Sequence, residues 1–478
     1  MANTTPAHHA HGHAHDEHGS GHHGHAPLTK TTSTSSNASH KRAKSFRQET
    51  AKEFQAREKD PLAGHFGHLT QEQQNALHNF HVVLTEKGLY TPASEKGPAS
   101  HDETTLLRFL RARKFDVPSA VQQFSDTEAW RQETKIEQIY DTIDVQEYEQ
   151  ARSVYPQWTG RRDRRGIPVY LYKVSHLNSK TMEAYSKSTS SHKSSVASVS
   201  NSKTPDRLLR LFALYEAMTQ LTLPLCSVLP REHPETPVDS TNNIVDISNV
   251  GLKTFWNLKN HMQDASTLAT AHYPETLDRI FIIGAPSFFP TVWGWIKRWF
   301  DPVTVSKIFI LTPSEVYPTL EKYIEKKNIP KRYGGDLDWD FGMNPDLDED
   351  ARVLMSDLAH TTTGGWTPGP IRWVGGDGPG ARAVAVGTVN GKRRNTVLAM
   401  PERLPVSNVI NGDSGVAPLN MADTPGTLNA DMSAIRRIRG TNGVATKPGD
   451  AATNGAKTNG ALPDTGTINK QMETLVLS

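Results

Sequence analysis

Four short apolar runs constrain this chain most: residues 167–172 (IPVYLY), 243–247 (NIVDI), 279–283 (RIFII) and 307–311 (KIFIL). Their β-branched and aromatic content predicts strands. Segments with helical spacing lie between and after them, at 208–221, 254–271, 290–299 and from Pro313 to Lys326. Strands alternating with helices at a spacing of about 30 residues predict βαβ units and a mainly parallel sheet. The near-continuous apolar strands also predict a sheet covered on its faces. Upstream, between Gln71 and Ile139, apolar positions recur with helical period: Leu77, Phe80 and Leu84, then Leu106, Leu107 and Leu110, then Val117, Val121, Phe124 and Trp130. Three or four short helices therefore precede the sheet, with Asp102 and Asp116 as N-cap candidates and Pro118 in a first turn. The fold class is α/β, a helical lobe followed by an α/β lobe.

The 15 Phe, 9 Trp and 12 Tyr all fall between Phe46 and Trp373, so the two ends cannot supply a packed core. Residues 1–60 read as a disordered His- and Ser-rich tail, 70–150 as the helical lobe and 151–345 as the α/β lobe. Residues 346–400 read as an extension and 401–478 as a second disordered tail. Within the α/β lobe, residues 185–204 are Ser-rich and read as a disordered surface insertion. Residues 381–400 carry alternating runs around Asn390-Gly391, the strongest short hairpin signal.

Charge and cysteine content narrow the function. With 53 Lys+Arg against 51 Asp+Glu, the chain lacks the basic balance of a nucleic-acid coat. Cys226 is the only cysteine, which excludes an intrachain disulfide and a thiolate zinc site and favours a reducing, cytoplasmic location. The first 25 residues hold no apolar run, so no secretory signal is expected. The longest charge-free stretch, residues 281–296, contains Pro286 and Pro290 and is shorter than the roughly 18–20 residues a spanning helix needs. Nine histidines between His8 and His25 read as a solvated tail with incidental metal affinity, and the sequence reading assigns no metal site and no cofactor.

A parallel α/β sheet suggests a nucleotide enzyme, yet no G-x-G-x-x-G follows a strand and no G-x-x-x-x-G-K-[ST] occurs. G-x-S-x-G and H-E-x-x-H are absent too. Cys226, in LPLCSVLPRE, reads as a small core residue rather than a nucleophile. Residues 288–307 (FFPTVWGWIKRWFDPVTVSK) stand out instead. A helix beginning at Pro290 places Phe289, Val292, Trp293, Ile296, Trp299 and Phe300 on one stripe beside Lys297 and Arg298. Such a stripe suits either a core-facing helix or a membrane interface. Two arginine-rich clusters, Arg108 to Lys114 and Arg161 to Arg165, the second in a turn before IPVYLY, suit either solvated faces or phosphate recognition.

The helix LLRFLRARKFDV (106–117), the tripeptide Tyr273-Pro274-Glu275, the strand RIFIIGAP, DPVTVSKIFIL (301–311) and IPKRYGG (329–335) together resemble the CRAL-TRIO lipid-binding family, in particular its fungal phosphatidylinositol/phosphatidylcholine transfer members. The resemblance implies a sheet that floors a deep apolar pocket for one phospholipid, a helix before DPVT that gates it, and no covalent step. It implies that Arg113, Glu275, Thr304 and Lys307 read the phosphatidylinositol head group. Arginine and lysine suit the phosphodiester, a hydroxyl can donate to it, and a carboxylate can accept from inositol hydroxyls. An ion pair of Arg113 or Lys307 with Glu275 is the plainer alternative. A second lipid, phosphatidylcholine or another, would meet Tyr170, Tyr215, Thr241, Asn243 and Tyr273. Aromatic faces suit a choline cation, although Asn243 stands where the family has a hydroxyl. The gate would comprise Phe289, Val292, Trp293, Ile296, Trp299 and Phe300. The implied protein is a monomeric carrier attached transiently to Golgi or endosomal membranes, presenting phosphatidylinositol to lipid kinases. A lipid-responsive scaffold and a carrier of a small apolar ligand such as a sterol are the alternatives.

Overall fold

The computed structural model describes residues 50–95, 97–189, 194–300, 302–355, 366–374 and 381–399. The tails expected to be disordered otherwise lie outside the described residues. Helices α1 (50–59), α2 (Gln71–Glu86), α3 (Glu103–Ala112), α4 (Val117–Thr134), α5 (Ile136–Thr142) and α6 (Val145–Val154) come first. Their starts follow side-chain chemistry. Thr70 and Gln73 form a reciprocal capping box at α2, Asp102 accepts from Thr105 N at α3, and Asp116 accepts from Ser119 N at α4. The tail expected to reach residue 60 is thus helical from 50 onward. Arg57 pairs with Asp278 at 2.9 Å, Glu58 with Arg279 at 2.9 Å, and Phe54 meets Phe309 edge-on, contacts between distant segments that no local pattern announces.

The main sheet has the order β1-β2-β3-β4-β5: β1 (Gln157–Arg162), β2 (Pro168–Lys173), β3 (Thr241–Asp246), β4 (Leu277–Ile283) and β5 (Ile308–Leu311). Strands β2 to β5 are parallel, while β1 pairs with β2 antiparallel. Between them lie α7 (Ser179–Thr189), α8 (Asp206–Ala217), α9 (Leu223–Val228), α10 (Leu252–His272), α11 (Phe289–Ile296) and α12 (Pro302–Ser306), followed by α13 (Val316–Tyr323). A π turn over Met218–Thr222 joins α8 to α9. Pro224 has no N–H for the Gln220 carbonyl and its ring crowds that oxygen, which displaces the ladder by one residue. The helical run Asp206–Val228 is long and apolar enough to cross a membrane, but it is largely buried inside the fold.

Strand β1 corrects one expectation, since Arg161 and Arg162 lie in a strand and not in a turn. Arg162 donates to Asp348 at 2.7 Å and Asp350 at 3.1 Å, Arg161 pairs with Asp346, and Arg165 with Asp278. This cluster fastens the segment 346–350 to the sheet instead of facing solvent or phosphate. Gly160, at φ +87°, allows that approach, because a Cβ there would run into the Asp346 backbone.

The Ser-rich insertion is a second correction. Residues 185–189 continue α7, and Tyr185 and Val196 are buried in the core, Val196 at 0% exposure. The polar residues around them are satisfied locally: Glu147 accepts from Ser195 N at 2.9 Å and from Ser195 Oγ at 2.7 Å, and Arg210 donates to the Ser188 carbonyl at 3.0 Å. Two apolar anchors and a set of serine hydrogen bonds thus order a segment whose composition reads as loop. After α14 (Glu349–Leu354), the strands β6 (Ile371–Val374), β7 (Arg382–Ala385) and β10 (Thr396–Ala399) form a second sheet, and β8 (Thr388–Val389) with β9 (Lys392–Arg393) forms the hairpin. Asn390 (φ +52°) and Gly391 (φ +75°) take the left-handed conformations this two-residue turn requires.

Candidate functional site

The two faces of the main sheet differ. On one, Val169, Leu171, Ile244, Phe281, Ile283 and Leu311 are buried beneath Leu320, Ile324, Ile329, Tyr333 and Trp339. On the other, registered rows place Tyr170, Asn243, Ile280 and Ile308 side by side, then Tyr172, Val245, Ile282 and Ile310. This second face is largely apolar, with Asn243 and two tyrosines among it, yet most of these side chains stay only partly buried and Ile310 is 39% exposed. The residues above it come from α8, α10 and α11: Leu211, Phe212, Leu258, Phe289, Val292 and Ile296 share one apolar cluster with it. An apolar sheet face roofed by apolar helices but left incompletely filled is suited to an apolar guest.

Phe289, Val292 and Ile296 of α11 are buried there, and Trp293 and Phe300 pack partly buried against the same cluster. The stripe therefore faces the core in this arrangement. The side chain of Trp299 lies outside the described residues.

The second set of expected residues gathers at the edge where β3, β4 and β5 begin. Parallel neighbours bring their first residues to one edge, so Thr241, Glu275 and Lys307 converge although 66 residues separate the first and last. Lys307 Nζ donates to Glu275 Oε2 at 2.8 Å, with the two side chains only 6% and 18% exposed. Arg111, from the last turn of α3, reaches the same carboxylate at 3.5 Å and pairs with Asp239. Burial pushes the Glu275 carboxyl upward, but Lys307 and Arg111 outweigh it and hold it at about 2. Burial likewise opposes ionisation of Asp239, and Arg111 overcomes it and keeps that carboxyl below its usual range. Thr304 lies in α12, its carbonyl accepting from Lys307 N at 3.1 Å.

Arg113 is placed differently from its expected partners. It is the exposed C-cap residue of α3 and makes no ion pair with Glu275 among the described residues. Arg111 occupies that position instead. Helical spacing could have distinguished them, because Arg111 lies one turn from the buried Arg108, whereas Arg113 is rotated about 200° from Arg111. Asp239 carried no sequence signal, since it precedes β3 in an ordinary polar loop.

The tyrosines form a group under the helices. Tyr273 stacks on Phe212 with centroids 5.5 Å apart, and Tyr215 lies 5.0 Å from Tyr273. Tyr273 donates its hydroxyl to Glu216 at 2.6 Å, and Arg131 binds the same carboxylate at 2.6 Å. Burial pushes the Tyr215 phenol up to about 12, so it is neutral at physiological pH. Tyr170 lies opposite Asn243 across the β2–β3 ladder and donates to Thr222 Oγ1 at 3.2 Å. Asn243 Nδ2 donates to Thr241 Oγ1 at 2.8 Å, and that hydroxyl in turn donates to the Thr276 carbonyl at 3.1 Å. Cys226 is buried, and burial pushes its thiol up to about 12, which leaves no thiolate at neutral pH.

These features coincide with what comparison with known proteins finds. The CRAL/TRIO domain family matches residues 152–335, and the CRAL/TRIO N-terminal domain matches residues 76–126. A CRAL-TRIO domain-containing protein of Saccharomyces cerevisiae is 31% identical over 57% of this chain and 81% of its own length. The SEC14 cytosolic factor of Eremothecium gossypii is 31% identical over 58% of this chain and 80% of its own. A phosphatidylinositol/phosphatidylcholine transfer protein of Arabidopsis thaliana is 32% identical over 50% of this chain and 40% of its own. With both domains matched in order on a helical lobe and a mainly parallel sheet, this chain belongs to the CRAL-TRIO family.

Proposed function

We propose that the protein is a non-enzymatic carrier that takes up phosphatidylinositol and a second lipid and exchanges them between membranes, so supporting phosphoinositide signalling and Golgi or endosomal trafficking. The observation that carries this reading is the partly exposed apolar face of the main sheet, with Lys307 and Glu275 at its strand-starting edge. Acyl chains would gain there the apolar contacts they lose on leaving the bilayer, worth ~0.8 kcal/mol per CH₂. Lys307, Thr304 and the exposed Arg113 offer donors to a phosphodiester, and Glu275, ionised at all physiological pH values, can accept from inositol hydroxyls. Arg111, committed to Asp239 and Glu275, acts as a positioning residue. Tyr170, Tyr215, Tyr273, Thr241 and Asn243 would meet the second head group. Helix α11 would serve as the gate, covering the apolar face in solution and opening at a membrane. The name of one relative, a cytosolic factor, supports a cytosolic protein, and that of another supports the transfer of phosphatidylinositol and phosphatidylcholine.

Native mass spectrometry of the copurified lipids tests this. Phosphatidylinositol is expected in the wild type and absent from Lys307→Ala and Glu275→Ala, with a second lipid retained in both. Phospholipid unaffected by either substitution would remove the head-group assignment. A copurified sterol and no phospholipid would replace this reading with the apolar-ligand carrier. Absence of any exchange between vesicles would favour a lipid-responsive scaffold.

A further inference from the structure

Two histidines and a glutamate outside the lipid-facing residues described above converge in space. His68 lies in the loop between α1 and α2, and His233 and Glu235 lie in the loop between α9 and β3. Glu235 Oε1 is 3.0 Å from His233 Nδ1 and 3.6 Å from His68 Nε2, and all three ligand atoms lie within 4.8 Å of one another. The imidazole rings meet edge to face at 5.9 Å. His68 Nε2 is buried without a hydrogen-bond partner among the described residues, a situation that costs free energy unless something binds the lone pair or the proton.

We propose that His68, His233 and Glu235 bind a first-row divalent metal of the zinc class. Ligand atoms around tetrahedral zinc, with bonds of about 2.0–2.2 Å, stand roughly 3.3 Å apart. Both distances to Glu235 are already near that value, and the remaining separation, within 4.8 Å, closes by a rotation that brings the two imidazoles toward each other by up to about 1.5 Å. Two nitrogen ligands out of three favour zinc, nickel or copper over magnesium or calcium, which prefer oxygen. The partial exposure of the cluster leaves a fourth position for water. The metal would fasten two loops already joined by a hydrogen bond from Thr236 Oγ1 to the Phe66 carbonyl at 3.0 Å. Within the same loops, His65 Nε2 lies 3.6 Å from Asp239, the partner of Arg111. Metal binding would therefore brace the support of the helix that carries Arg111.

The nine histidines between His8 and His25 offer further imidazole ligands, which makes simple stoichiometry uninformative. Thermal unfolding of the full chain separates the two. A tract that binds metal equally in the folded and unfolded chain gives no stabilisation, whereas a cluster assembled only by folding does. With zinc at about one hundred times the dissociation constant, the melting temperature of the wild type should rise by about 5 °C, reversibly with chelator. His233→Ala and Glu235→Gln, both at partly or fully exposed positions, should remove that rise and the visible absorption of the tetrahedral cobalt(II) form that depends on this site. No rise in the wild type, or an equal rise in wild type and both variants, overturns the proposal. The first result would leave a proton-held His–Glu pair in its place.

Discussion

Glu275 occupies a left-handed backbone conformation, φ +56°, which costs a non-glycine residue roughly 1–2 kcal/mol. The turn from α10 into β4 demands it, and the carboxylate is held there by Lys307 at 2.8 Å. The pair has a pH signature. The folded carboxyl is held at about 2, below its usual 4.5, so its stabilising contribution is complete above about pH 4.5 and disappears as pH falls toward 2. At about 1.4 kcal/mol per pH unit, the full contribution is at most about 3.5 kcal/mol. Urea unfolding between pH 5 and 2.5 should show a shallower loss of stability in Glu275→Gln than in the wild type. Equal slopes would mean that Glu275 is not held ionised by its neighbours. Glu275 and Lys307 were legible through the family resemblance alone, since the motifs YPE and DPVTVSK carry them in sequence order. Arg111 was not legible, because its role depends on which side of α3 faces the sheet.

At the scale of elements, composition misled where a few apolar residues outweigh many polar ones. The segment 194–204 is anchored by Val196, wholly buried, while Val199 is only partly buried against the same cluster. Removing two methyl groups at a site that cannot collapse costs about 2 kcal/mol. Val196→Ala should therefore lower the unfolding free energy by about that amount, and Val199→Ala by clearly less, as read by denaturant midpoints. Similar losses would show that the insertion is not pinned at Val196. Strand β1 escaped notice for a related reason. QWTGRR contains a glycine and two arginines, and its nearly continuous burial becomes possible only once Arg161 and Arg162 find Asp346, Asp348 and Asp350. The hairpin at Asn390-Gly391 was visible because its turn chemistry is contained within two residues.

At the scale of the whole molecule, the fold leaves an apolar sheet face partly exposed and lays α11 across it, with Phe289, Val292 and Ile296 inward. A helix that serves only as core would tolerate loss of a partly buried tryptophan with a change in stability alone. As a gate, it must also meet a bilayer, where tryptophan is favoured. Trp293→Ala should slow phosphatidylinositol transfer between vesicles several-fold while the copurified lipid is retained. An unchanged transfer rate at reduced stability would return α11 to the core. Helix α1 acts at the same scale, since Arg57 and Glu58 tie the start of the described chain to Asp278 and Arg279 at the start of β4.

The sequence by itself determined the parallel strands, the helical lobe, the order of the family's motifs and the lone buried cysteine, because each rests on local periodicity or on residue types in sequence order. Only the tertiary structure decided that Arg111 takes the place beside Glu275, that residues 50–59 are helical, that Tyr185 and Val196 of the Ser-rich segment enter the core, and that His68 meets His233 and Glu235. Those outcomes are contacts between segments up to 221 residues apart, and their energy comes from pairing charges or filling space across a fold that no local pattern encodes.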